Sequence, residues 1–213
     1  MGQHERASAS DDNRRRYRRI APVYDLLDLP FEYARYRPLR SMLFAGLSGR
    51  LLDAGVGTGR NIPFYPPGAE VIGIDTSPEM LARAERRRAR TGATGAFLER
   101  DVRATGFADG SFDGVVASFL FCVLPEPEQL PALRELARVC KPTGEIRLLE
   151  YTRPGTPFRR LLTRIWEPWV RLAYGASFDR DVAQNLPAAG LVLVDARFVV
   201  DELVQYVVAR PRG

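Results

Sequence analysis

The run Asp53-Ala54-Gly55-Val56-Gly57-Thr58-Gly59 sets three glycines on alternate residues between an apolar segment and a segment able to start a helix. Glycines of this kind let the backbone turn with positive φ and let a ligand approach the main chain closely. The helix that follows presents free N–H groups. Two nucleotide classes are disfavoured. A dinucleotide loop needs a small residue at the sixth position counted from Gly55, for close packing of helix on strand, and that position is Arg60. The Lys-Ser/Thr pair of a P-loop is also missing. With no pyrophosphate to cradle, the acid that opens the run, Asp53, suits a cationic ligand.

Two further acids extend the pattern. Asp75 lies 22 residues after Asp53, at the end of the next apolar segment. A carboxylate at such a strand end can accept both hydroxyls of a ribose. Asp101-Val102 follows the third segment, placed for the edge of an adenine. A nucleoside that also carries positive charge fits all three, and S-adenosylmethionine, with its ammonium and sulfonium, is such a molecule. A plain tight turn remains the alternative for the glycine run taken alone.

The elements that must position these residues read as strand and helix in alternation. Strands are expected at Arg50–Asp53, Glu70–Asp75, Ala96–Glu99, Phe112–Phe121 and Glu145–Tyr151. Helices are expected at Pro38–Leu47, at Ser77–Thr91, where Ser77-Pro78-Glu79 is a start signal, and at Glu128–Cys140, with a turn at Lys141–Gly144. Leu191–Phe198 and Leu203–Ala209 read as a closing hairpin. The fold class expected is α/β: a mostly parallel seven-stranded sheet with one antiparallel edge hairpin and helices on both faces. Residues 1–13 are polar and expected to be disordered. Residues 14–213 are expected to form one domain, with 14–47 as a helical cap and 153–180 as a helical lid insertion.

Composition narrows the chemistry. Hydrophobic residues are 46% of the chain and charged residues 27%, as in a soluble globular protein. No apolar run approaches the roughly 18 residues that span a bilayer. No signal-peptide pattern is visible, so the expected location is the cytoplasm. Two cysteines, Cys122 and Cys140, and one histidine, His4, leave no basis for a disulfide framework, a metal site or a Ser-His-Asp triad. The net charge of +5 is concentrated: residues 14–40 carry eight arginines against Asp25, Asp28 and Glu32. A basic patch next to Tyr17 and Ile20 suits an anionic membrane, with a solvated tail as the alternative. Pro157–Tyr174 is a second basic stretch, with Phe158, Leu161, Leu162, Ile165, Trp169 and Leu172 roughly on one side. A lid, apolar inside and basic outside, and an ordinary helix packed on the sheet both remain open for it.

The segments Leu51–Gly59, Val71–Leu81, Phe112–Ala117 and Leu136–Glu145 together closely resemble class I S-adenosylmethionine-dependent methyltransferases, over nearly the whole chain. Thr143 departs from the glycine usual there. The resemblance implies a Rossmann-like methyltransferase fold and S-adenosylmethionine as donor, with S-adenosylhomocysteine as product. It places Gly55, Gly57 and Gly59 along the methionine part, Asp75 on the ribose, Thr76 and Met80 beside the adenosine, and Asp101 and Val102 on the adenine. Ser118 and Phe119 fall below the sulfonium. Tyr17–Leu27 resembles the opening segment of bacterial phosphatidylethanolamine N-methyltransferases and of ubiquinone/menaquinone C-methyltransferases, in which the equivalent of Tyr24 approaches the donor. Trp166–Trp169 and Tyr174–Phe178 resemble animal thiol methyltransferases of lipid droplets.

Tyr24 and Tyr151 are accordingly the expected catalytic or orienting residues, and Tyr17, Trp166 and Tyr174 the expected substrate contacts. Aromatic rings suit an amine that gains charge on methylation, and core packing is the alternative for each of them. The expected acceptor is a small molecule or a lipid, phosphatidylethanolamine first, then a quinone carbon or a thiol. Peripheral contact with the inner face of the cell membrane goes with that reading. Nucleic acid is not the expected partner, because the Asn/Asp-Pro-Pro-Tyr/Phe motif is absent. A non-catalytic adenosylmethionine-binding module is the alternative from another class. The sequence sets no oligomeric state.

Overall fold

The computed structural model describes residues 36–156, Ile165 and residues 181–212. The expected disordered tail, most of the expected lid, and Tyr17, Tyr24, Trp166 and Tyr174 lie outside the described residues.

Seven strands form one sheet: β1 (Arg50–Ala54), β2 (Glu70–Asp75), β3 (Ala96–Glu99), β4 (Phe112–Ser118), β5 (Cys140–Tyr151), β6 (Leu191–Val200) and β7 (Val204–Pro211), in the order β3-β2-β1-β4-β5-β7-β6. The first five are parallel, and β7 runs antiparallel between β5 and β6. The order reverses at β1 and β4. In open parallel sheets the crevice beyond the carboxyl ends of the strands at such a reversal is where ligands bind. Helices α1 (Arg37–Phe44), α2 (Pro78–Thr91), α3 (Glu126–Val139) and α4 (Val182–Asn185) accompany the sheet.

Alternation along the central strands builds two cores. Leu52, Ala54, Val115, Ala117, Ile146 and Leu148 point to one face, where Leu133 and Leu136 of α3 and Val182 of α4 meet them. Leu51, Val116, Leu149 and Tyr206 point to the other, under Leu43 and Phe44 of α1. Burial on both faces is why these strands read as apolar runs rather than alternating ones. No described helix is long and apolar enough to cross a membrane.

Ser77 starts α2 as its sequence suggests: its hydroxyl accepts from the Met80 N–H, Pro78 fills the first turn, and Gly92 closes the helix at φ +67°. Several boundaries differ from expectation: α1 stops at Phe44 rather than Leu47, β6 runs on to Val200 and β7 to Pro211. β4 ends at Ser118 rather than Phe121, because Phe119 turns the chain at φ +54°. α3 begins at Glu126, two residues early. Lys141–Gly144 is no turn. The chain passes from α3 straight into β5 at Cys140, and the ladder with β4 absorbs a register shift between Phe112 and Gly114. Gly144 is required there, since a Cβ on it would stand 2.7 Å from the Asp113 carbonyl oxygen.

The close helix contact denied to Arg60 falls instead to Gly59. A Cβ on Gly59 would lie 3.0 Å from Cα of Ala84 in α2 and would run into the Ile62 side chain, at a φ of +80°. Gly59→Ala is therefore expected to destabilise the fold by on the order of 2–4 kcal/mol, adding left-handed strain to overpacking. A lowered urea midpoint at unchanged m-value checks this, and an unchanged midpoint contradicts it.

Candidate functional site

The glycine loop leaves β1 between β2 and β4. Gly55, Gly57 and Gly59 all adopt positive φ, at 72°, 53° and 80°. Backbone N–H groups of Gly55 and Val56 both bind the Ile74 carbonyl, which fastens the loop to β2. Gly55 and Gly57 keep partial exposure while Val56, Thr58 and Gly59 are buried. A Cβ built on Gly57 meets nothing nearer than 3.9 Å. The loop thus presents bare backbone to open space, the cradle that a ligand of adenosylmethionine's kind requires.

The three acids occupy different environments. Asp75 is joined directly to the loop: Oδ2 accepts from the Gly57 N–H and Oδ1 from the Ser77 N–H, both at 2.9 Å. Burial raises its pKa, opposed by the backbone N–H groups that bind it. The Arg100 N–H binds the Asp75 carbonyl, so β3 ends alongside. Thr76 is exposed and Met80 buried next to this strand end. Asp101 is held by Arg103, whose Nε lies 2.9 Å and 3.0 Å from its two oxygens, and Val102 is buried in the core. These residues come together at the carboxyl ends of β1, β2 and β3.

Asp53 lies deeper than a ligand-facing acid. It is fully buried, with Oδ1 accepting from Asn61 Nδ2 at 2.9 Å and Oδ2 from the Tyr65 hydroxyl at 2.7 Å. Desolvation pushes its pKa up to about 6, against those hydrogen bonds and the charge of Arg40. Asn61 also donates to Ser118 Oγ at 3.1 Å, and Arg40 Nη1 donates to Asn61 Oδ1 at 2.8 Å and Ser118 Oγ at 2.9 Å. Asp53 and Ser118 are thereby parts of one buried polar cluster joining α1, the glycine loop and the end of β4.

Next to that cluster stand three aromatic rings. Phe119 lies 5.0 Å from Tyr36 and 4.9 Å from Tyr151, centroid to centroid, and the two tyrosine hydroxyls are hydrogen-bonded at 2.7 Å. Arg40 sits over the Phe119 ring at 5.6 Å. Sequence reasoning found Tyr151 and Phe119 but missed Tyr36, Arg40, Asn61 and Tyr65, none of which belongs to a motif.

It also missed Glu150. This acid is buried in β5, and its carboxylate accepts from the backbone N–H groups of Leu120, Phe121 and Cys122 at 2.7, 3.0 and 3.1 Å. It holds in place the loop that carries Phe119. The available signal was one acid following Leu148-Leu149 near the end of the strand.

Against this geometry, the comparisons with known proteins agree. The model of a methyltransferase domain family matches residues 51–144. The demethylmenaquinone methyltransferase of Thermus thermophilus is 38% identical over 154 residues, 69% of this chain and 69% of that one. The chain belongs to the S-adenosylmethionine-dependent methyltransferases, and S-adenosylmethionine is the cofactor of the family. The phosphatidylethanolamine N-methyltransferase of Cereibacter sphaeroides is 43% identical over 105 residues, covering 48% of this chain and only 51% of that relative. In fold, the magnesium protoporphyrin IX methyltransferase of Synechocystis, solved with S-adenosylhomocysteine bound, matches at TM-score 0.62 and 20% identity, over 82% of this chain and 80% of that one.

Two outcomes are expected. Burial pushes the Glu150 pKa up to about 7, against the three N–H groups that favour its charge. A carboxyl whose folded pKa exceeds its unfolded value contributes stability that is full below the unfolded pKa and is lost as pH rises through the folded one. Stability should therefore fall between about pH 4.5 and pH 7, by on the order of 3 kcal/mol for this group. Asp53 acts with the same sign up to about pH 6. Urea unfolding across that range checks it, and Glu150→Gln should flatten the upper part of the curve. A wild-type curve that is flat or rising over this window contradicts the assignment. Second, Asp75→Ala should weaken binding of adenosylmethionine at least 10-fold by calorimetry, about 1.4 kcal/mol.

Proposed function

We propose that this chain methylates a lipid-like acceptor at a membrane surface, with the amine of phosphatidylethanolamine first among candidates. The observation that carries the reading is the trio Tyr36, Phe119 and Tyr151 next to Ser118 at the carboxyl ends of β4 and β5. Bound adenosylmethionine supplies an activated methyl group, and the displacement needs little beyond alignment and exclusion of water. The aromatic faces give an apolar wall that also stabilises an amine as it becomes cationic. Tyr151 orients the acceptor through its hydroxyl, which Tyr36 holds in place. Gly55, Gly57, Gly59, Asp75, Thr76, Met80, Asp101 and Val102 hold the donor, and Asp53 and Ser118 support it from beneath. Tyr24 completes the donor pocket in this reading, with Tyr17, Trp166 and Tyr174 on the acceptor side. The 43% identity to a relative named for this reaction supports the choice of acceptor.

Quinone C-methylation is the second reading. It is favoured by the relative that aligns over 69% of both chains. Both acceptors are membrane-held, and the seven arginines of residues 14–37 supply the attraction to an anionic surface, Arg40 being buried in the polar cluster.

A panel of acceptors with labelled adenosylmethionine tests the proposal: phosphatidylethanolamine vesicles, a demethylated quinone and a small alkyl thiol. Label in phosphatidylethanolamine is expected, and label confined to the quinone or the thiol overturns it. Tyr151→Phe should lower kcat roughly 10-fold or more with donor affinity unchanged. The full chain should co-sediment with anionic vesicles at low salt, and removing residues 1–19 should abolish this. No co-sedimentation would sink the membrane reading.

A further inference from the structure

β6 closes one end of the sheet, and among the described residues no strand pairs with its outer edge. An exposed edge strand is a template for another strand, and proteins ordinarily blunt it with charges, proline or β-bulges. β6 has no proline and no run of like charge, and its ladder with β7 is irregular at two places that flank Asp195–Arg197. Val192, Leu193, Val194 and Phe198 are 47%, 48%, 51% and 50% exposed, and only Ile165 shares their class among the described large apolar residues. The strand's only charges are Asp195 and Arg197, one of each sign, on side chains 45% and 57% exposed.

The order of these residues has a centre. Reading outward from Ala196, Asp195 answers Arg197, Val194 answers Phe198, Leu193 answers Val199, and Val192 answers Val200. Two copies of β6 laid antiparallel about a twofold axis at Ala196 would set each Asp195 opposite the other copy's Arg197. They would also set Val194 opposite Phe198 and Leu193 opposite Val199. Opposite charges and apolar pairs directly across an antiparallel ladder are the pairs that stabilise it. A one-residue slip would leave each charge opposite an apolar residue, and a two-residue slip would set Asp195 against Asp195 or Arg197 against Arg197, so the charges also fix the register. The shifts in the β6–β7 ladder fall between Leu193 and Asp195 and between Phe198 and Val200, which leaves Asp195–Arg197 regular on both sides of the proposed axis, with Val194 and Val199 the residues that the β7 register skips.

We propose that the β6 edge is a self-association surface and that its partner is a second copy of this chain. The two copies are joined isologously about Ala196, so that two seven-stranded sheets become one. The surface lies at the far end of the sheet order from β3, with β7 and β5 between it and the methyl-donor strands.

The test is the mass of the full-length protein in solution, by light scattering or sedimentation equilibrium. The expected result is a mass near twice 23.9 kDa, falling toward a single chain on dilution. A single-chain mass at every concentration up to on the order of 100 μM overturns the proposal. Charge exchange tests the register. Asp195→Arg and Arg197→Asp should each give a monomer, because like charges then face each other. Mixing the two variants should restore a dimer, and so should combining both substitutions in one chain. A dimer that survives either single change, or a mixture that stays monomeric, overturns the proposal equally. Adenosylmethionine binding measured on each variant shows that it is folded.

Discussion

The side-chain amide of Asn61 is the junction on which the site depends. It donates to Asp53 at the end of β1 and to Ser118 at the end of β4, and it accepts from Arg40 of α1. Asn61, Asp53 and Arg40 are buried and Ser118 is half-buried, and Arg40 and Asp53 carry opposite charges. Burying such a pair is costly unless hydrogen bonds satisfy the remaining lone pairs and protons. Here Asn61 and Tyr65 occupy both Asp53 oxygens. The glycine loop cannot move far from β4 without leaving a buried charge uncompensated, and that penalty holds the donor cradle beside the aromatic trio.

The same device recurs along the carboxyl edge of the sheet. Asp75 at the end of β2 binds the loop that follows β1, through Gly57. Glu150 near the end of β5 binds the loop that follows β4, through three successive N–H groups. Each carboxylate reaches across to a neighbouring strand's loop. Turns with positive φ, at Gly57 and at Phe119, expose backbone donors that no helix or ladder satisfies. Acids at strand ends are the cheapest partners for them. Burial has lifted Asp53 and Glu150 to about 6 and 7, which marks desolvated structural carboxylates as well as the catalytic kind.

The glycine loop and the acids at the strand ends were legible in the sequence because their determinants are local. The glycine spacing, Asp75 and Asp101 each sit within a few residues of a strand end, and the strand–helix alternation fixes where those ends gather. Seven strands and the antiparallel edge followed from the same alternation. What escaped was of two kinds. The direct passage from α3 into β5 hid behind Lys141-Pro142-Thr143-Gly144, whose composition is that of a turn. Tertiary pairing of Cys140 with Phe112 overrode it. Arg40, Asn61 and Tyr36 escaped because their roles depend on contacts across 21 to 115 residues of chain, which no spacing reports.

That division bears on specificity. The residues proposed to hold the donor come from four adjacent strands, and no exchange of distant segments is needed to build them. The proposed acceptor side takes Tyr36 from just before α1, Phe119 from the end of β4 and Tyr151 from the end of β5. Its remaining candidates lie in two basic stretches, one preceding β1 in sequence and one between β5 and β6. In the proposed reading a change at Tyr17, Trp166 or Tyr174 alters the acceptor side without touching the hydrogen bonds of Asn61, Asp75 and Glu150. Relatives named for phosphatidylethanolamine and for demethylmenaquinone both align with this chain, as expected where one donor half serves different acceptors.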